Sequence, residues 1–188
     1  WRINEESGPV EVSPETVDLL KLALGISEAS GGAFDPTIEP VSSLWNFSQE
    51  TSVLPDAEKL SEAAGHVDYR RLVVSGNTVG LPDDMGLDLG GIAKGYIADR
   101  LTEFLKARGI TSALINLGGN VVTIGRRATD DQPWVVGIQD PKGESGVNKL
   151  TLKGESLSVV TSGNYERFFI LDGVRYHHLL DPVTGWPV

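Results

Sequence analysis

The 188 residues, 40% hydrophobic and 22% charged, hold enough apolar matter for one sizeable core and read as a single domain. A formal net charge of −10 without clustered Lys or Arg excludes a phosphate-backbone binder, which needs a basic stripe to displace counterions, so no nucleic-acid partner is expected. The lack of cysteine removes disulfide, thiolate-metal and cysteine-nucleophile chemistry together, and suits an oxidising compartment. The opening residues, Trp1 to Glu5, have no signal-peptide character, and no apolar run approaches the ~20 residues of a membrane span.

Ser13-Pro14-Glu15 predicts a helix start, with Val17, Leu20 and Leu24 at helical spacing up to Gly25. The stretch Gly31 to Thr37 is too rich in breakers to be regular, and beyond Pro40 it leads to Trp45-Asn46-Phe47, expected at a loop or cleft wall. Pro55-Asp56 opens a short helix to about Gly65. A hairpin then follows, 71–74 with 78–81 around Ser75-Gly76-Asn77. The clearest helix runs from Ile92 to Gly109, with Ile92, Tyr96, Ile97, Leu101, Phe104 and Leu105 as its apolar stripe, and is expected to be buried. Short strands follow: 113–117, 121–124, 134–138, 149–152, 156–160, 167–171 and 174–180. Helices first and strands later predict an α+β fold: an antiparallel or mixed sheet with a few packed helices.

Four clusters combine glycines with polar groups where loop meets regular structure. In Asp88-Leu89-Gly90-Gly91-Ile92-Ala93-Lys94-Gly95, glycines at a helix start admit a ligand to the backbone, first-turn amides attract anions and Lys94 reaches a phosphate oxygen. The same residues also make an ordinary entry turn, with Asp88 as the cap and Lys94 solvated. Asn116-Leu117-Gly118-Gly119-Asn120 reads as a turn or bulge between strands. Thr161-Ser162-Gly163-Asn164-Tyr165-Glu166-Arg167 offers two hydroxyls and a glycine, for a ligand or for a hairpin. In the fourth, His178-Leu179-Leu180-Asp181-Pro182-Val183-Thr184-Gly185, His178 is suited to take a proton from a hydroxyl, with Asp181 orienting it or assisting a metal. A structural histidine before an Asp-Pro turn is the alternative.

In this order and at these intervals, the four clusters resemble the ApbE family, and the likeness extends to Phe34-Asp35-Pro36-Thr37, Trp45, Phe47 and the segment Trp134 to Pro141. The resemblance implies an ApbE-like, T-fold-like α+β domain that moves FMN from FAD onto a threonine or serine hydroxyl of a target protein. Mg2+ assists and AMP is released. It implies FAD contacts at Asp88, Lys94 and Leu180, an aromatic segment Trp45-Asn46-Phe47 lining the nucleotide, His178 as base with Asp181 beside it, and the Gly91 carbonyl on the metal. Family members carry further segments before Trp1 and after Val188, the latter supplying an aspartate and a threonine to the metal, so the chain is expected to be a partial domain. The implied partner is an acceptor protein with a threonine-bearing motif, such as a respiratory redox-complex subunit. The implied location is periplasmic or extracytoplasmic, on a lipid anchor outside this chain, with cytoplasmic relatives also known. Two other activities suit the same residues: an FAD pyrophosphatase giving free FMN and AMP, and an accessory protein that holds FAD unchanged.

Overall fold

The computed structural model describes residues 2–47, 53–141, 143 and 146–188, which form two compact units: Trp1–Gly91 with Asn164–Val188, and Ile92–Gly163. The chain passes from one unit to the other at Gly91 and returns at Gly163, inside two of the glycine clusters. No change of composition marks either crossing.

The first unit begins with α1 (Arg2–Glu5), β1 (Val10–Glu11) and α2 (Pro14–Ala29). Ser13 caps α2 as its sequence predicts, its Oγ accepting from the Thr16 N–H at 3.3 Å. The helix does not stop at Gly25 but runs on to Ala29. A mid-helix glycine costs only about 1 kcal/mol, and buried Ser27 ties its hydroxyl to the Ala23 carbonyl across that position. The stop comes instead at Gly31 and Gly32, both at positive φ, with the Gly32 N–H returning to Ser27 O at 2.8 Å. Next comes α3 (Glu39–Ser42), and after it α4 (Ala57–Ala64), whose first amides Asp56 caps. Arg71 falls in a 3-10 turn over Tyr69–Arg71, so the hairpin is shorter than its pattern: β2 (Val73–Ser75) and β3 (Thr78–Gly80), with Gly76 at φ 56° in a two-residue turn. β1 pairs with β3, giving the order β1-β3-β2.

The second unit holds α5 (Ala93–Ala107), β4 (Ala113–Leu117), β5 (Asn120–Ile124), β6 (Trp134–Gln139), β7 (Asn148–Gly154) and β8 (Ser158–Val159). One sheet has the order β4-β5-β8, and β6 and β7 form a separate antiparallel ribbon. The Gly-Gly cluster is the β4–β5 turn, with Gly118 and Gly119 at φ 58° and 90° and Asn116 Oδ1 accepting the Gly119 N–H. α5 is less buried than its stripe predicts. Ala98 packs against Ile115 and Val122 with Leu105 alongside, whereas Ile97, Leu101 and Phe104 are exposed. A side chain as small as alanine brings the helix close to the sheet, so a narrow strip meets it and the larger residues flank the contact. The Arg108 guanidinium lies 3.4 Å over the Phe104 ring and covers part of it.

The chain then returns to the first unit as the hairpin β9 (Phe168–Leu171) and β10 (Val174–His177), turning through Asp172 and Gly173 at φ 50° and 79°. This hairpin closes the main core of the unit, where Val41, Trp45, Leu60, Ala63 and Phe169 are buried together. Pairings between the strands are antiparallel among the described residues, with an isolated parallel bridge between Ile38 and Gly86, and helices and small sheets mix as the α+β reading expects. No helix among them is long and apolar enough to cross a membrane.

Candidate functional site

The aromatic segment and the histidine segment meet in the first unit, 140 positions apart in sequence. The Trp45 indole N–H donates to the Gly185 carbonyl at 2.9 Å, and its ring stacks on Phe47 at 5.4 Å and meets Trp186 edge-on at 5.4 Å. Phe169 and Tyr176 stack at 5.3 Å on the neighbouring hairpin and complete the cluster. Trp45 was expected at a loop or cleft wall; it lies in an irregular segment, but at 7% exposed it belongs to the core and not to a cleft wall. A bicyclic ring with one polar atom is most stable where the ring is packed and that atom is paired, and the Gly185 carbonyl supplies the pairing. Phe47 is half-buried and Asn46 exposed, so these two carry the segment toward solvent.

His178 stands one residue beyond β10. Its backbone N–H donates to the Arg167 carbonyl at 3.1 Å, and its Nδ1 lies 3.3 Å from the same oxygen. A carbonyl only accepts, so this contact requires Nδ1–H, and the neutral ring then carries its lone pair on Nε2. The Phe47 ring meets the imidazole edge-on at 6.5 Å. Asp181 shapes the turn that follows: its Oδ1 accepts the Val183 N–H at 2.8 Å, its carbonyl accepts the Gly185 N–H, and its own N–H donates to Trp186 O. Leu180 is half-buried and pairs with Pro187 across that turn. The oxygen that orients Nδ1 thus comes from the Arg167 backbone, while Asp181 closes the loop that carries Gly185 to Trp45.

Asp88 sits where the chain leaves the first unit. Its Oδ1 accepts the Gly90 N–H at 2.8 Å, its Oδ2 accepts the Ser42 hydroxyl at 2.9 Å, and its own N–H donates to Pro36 O. It therefore builds the Gly90-Gly91 turn and does not cap α5, whose N-cap residue is Ile92 and which has no side-chain cap. Each carboxylate oxygen keeps a further lone pair for a ligand donor. Two supports lay outside sequence reasoning. Asn4 clamps both backbone groups of Leu87, at 2.9 and 3.0 Å. Buried Asp35 accepts from Thr37 N, Thr37 Oγ1 and Tyr69 N, and so fixes the Phe34-Asp35-Pro36-Thr37 loop. Asn4 and Leu87 lie 83 positions apart, and no local pattern announces such a pair.

Gly91 is exposed, and a Cβ there would come within 3.1 Å of the Phe34 ring, so the position suits a residue that acts through its backbone. Among the described residues no three His, Cys, Asp or Glu side chains converge as a metal site. The Gly91 carbonyl is a hard oxygen of the kind Mg2+ accepts, and Asp88, the carboxylate nearest it in sequence, accepts the Gly90 N–H and the Ser42 hydroxyl. In the second unit, Lys94 is exposed near the start of α5, where first-turn amides have no intrahelical acceptor.

The model of the ApbE family matches residues 1–188. Among curated proteins, an FAD:protein FMN transferase of Treponema pallidum is 42% identical over 96% of this chain and 54% of its own length. One of Klebsiella pneumoniae is 37% identical over 99% and 58%. The crystal structure of the ApbE protein of Thermotoga maritima covers the whole chain with a TM-score of 0.90 at 38% identity, and the chain spans 62% of it. The apo flavinyl transferase ApbE of Pseudomonas stutzeri gives 0.83 at 32% and 59%. The chain spans little more than half the length of the curated relatives it matches. With a family model across every residue and this agreement in fold, the chain belongs to the ApbE family.

Proposed function

We propose that this chain carries the FMN-transfer chemistry for which its relatives are named. The observation that carries the reading is the backbone-held imidazole of His178, with Nδ1 turned to the Arg167 carbonyl, at the edge of an aromatic cluster. A threonine or serine hydroxyl of an acceptor protein attacks the FMN-side phosphorus of FAD and passes its proton to Nε2 of His178. The new phosphoester bond forms as the P–O bond to AMP breaks, and AMP leaves with that electron pair. Mg2+, held in part by the Gly91 carbonyl, offsets charge on the pyrophosphate when bound. Phe47 and Asn46 line the flavin nucleotide, with Trp45 as the packed support behind Phe47 and Leu180 adjacent. The acceptor is a protein with a threonine-bearing motif, of the respiratory redox type, met outside the cytoplasm.

Asp88 and Lys94 are FAD contacts in this reading. Asp88→Ala and Lys94→Ala each weaken FAD retention by about tenfold or more, the size of one charge-assisted hydrogen bond. Fluorescence titration of FAD measures this, and unchanged affinity in both variants removes the nucleotide seat.

The decisive experiment incubates the full-length protein with FAD, Mg2+ and a threonine-bearing acceptor domain and records the acceptor's intact mass. A gain of one FMN, abolished by chelator, supports transfer. Free FMN and AMP without a mass gain convert the reading to hydrolysis, and intact FAD converts it to binding alone.

A further inference from the structure

The chain has nine arginines, and for eight of them the guanidinium is engaged. Glu6, Asp68, Asp84, Glu103, Glu155 and Asp130 pair with six of them, and aromatic rings underlie Arg108 and Arg175. Arg167 is exposed, and its side chain has no partner among the described residues. In a protein of net charge −10 carboxylates are in excess, yet this guanidinium has neither a carboxylate nor an aromatic ring among the described residues.

Its position is defined by the hairpin register. His177 pairs with Phe168 and Tyr176 with Phe169, and the ladder continues one step through the His178 N–H to the Arg167 carbonyl. Directly opposed residues in an antiparallel pair project from the same face, with Cβ atoms about 5 Å apart. Arg167 and His178 therefore share one face of the ribbon, the one on which Tyr176 and Phe169 meet the aromatic cluster. Arg175 lies on the other face, over the Phe168 ring at 4.4 Å.

We infer that Arg167 is a further catalytic residue, whose guanidinium binds the non-bridging oxygens of the phosphoryl group under attack while the carbonyl of the same residue holds the base. This rests on the transferase reading above. The attacked phosphorus must come within bonding distance of an oxygen hydrogen-bonded to His178, which places its non-bridging oxygens within reach of a guanidinium one cross-strand position away. Guanidinium is a planar donor matched to two phosphoryl oxygens, and its charge opposes the charge that gathers there as AMP departs. One residue would thereby set the tautomer of the base through its backbone and stabilise the transferring group through its side chain.

The test uses the full-length protein with FAD, Mg2+ and acceptor domain. In Arg167→Ala, kcat for transfer should fall by roughly 10²–10³ while the KM for FAD moves no more than about threefold, the pattern of a contact made chiefly in the transition state. Guanidinium ion added to that variant should restore part of the lost rate, and Arg167→Lys should be intermediate. The backbone contacts to His178 are kept in both variants, so folding is expected to survive. Arg175→Met, on the opposite face, should transfer at the wild-type rate. A wild-type rate in Arg167→Ala, or a loss residing wholly in the FAD KM and not rescued by guanidinium, overturns the proposal and leaves the transferase reading standing. A full-length wild-type protein that transfers nothing overturns both.

Discussion

His178→Ala should retain FAD with an affinity within about threefold of the parent and lose transfer by roughly 10²–10⁴, the range that a positioned general base contributes. In the proposed role His178 acts on the incoming hydroxyl and not on the resting cofactor, so its removal should appear in kcat alone. Intact-mass kinetics of the acceptor, beside fluorescence titration of FAD, separate the two effects. A variant that folds but fails to bind FAD would make His178 a structural support of the Phe47 edge.

Trp45→Ala should be the most destabilising single change in the first unit. Truncating a buried tryptophan costs about 3–5 kcal/mol, and this one also leaves the Gly185 carbonyl without its donor, worth about 1–3 kcal/mol more. Against the roughly 5–15 kcal/mol that holds a domain folded, most of the stability is lost. Trp45→Phe keeps a ring against Phe47 and Trp186 but no N–H, so its cost should be about 1–3 kcal/mol, dominated by the unpaired carbonyl. Urea unfolding of both variants partitions packing from hydrogen bonding. Equal costs would place the whole contribution in the indole N–H.

Much of the local structure was legible because its causes are local. Ser13 and Asp56 announce their helices through the amides they cap, and Gly76, Gly118-Gly119 and Gly173 stand where turns require positive φ. The strand 113–117 follows its run of apolar residues to the residue. Misreadings arose where another contact outweighed the signal that was read. α2 continues past Gly25 because Ser27 and the turn beyond it hold the next four residues, and α5 buries Ala98 because the sheet beneath it meets a small side chain more closely than a large one.

The candidate site divides the same way. Its residue types and order were readable from the chain, enough to recognise the family and to single out His178, Asp88, Gly91 and Lys94. Their partners were not. Trp45 proves to be core because the Gly185 carbonyl pairs its indole, Asp88 a turn-builder because Ser42 and Gly90 occupy its oxygens, and Arg167 the neighbour of His178 because two strands align in one register. Sequence by itself determined which chemical groups this protein possesses, since composition and local backbone preference are written along the chain. Only tertiary structure decided which atoms of those groups are committed and which remain for a ligand, because commitments such as Trp45 to Gly185 and Ser42 to Asp88 are contacts between segments tens of residues apart.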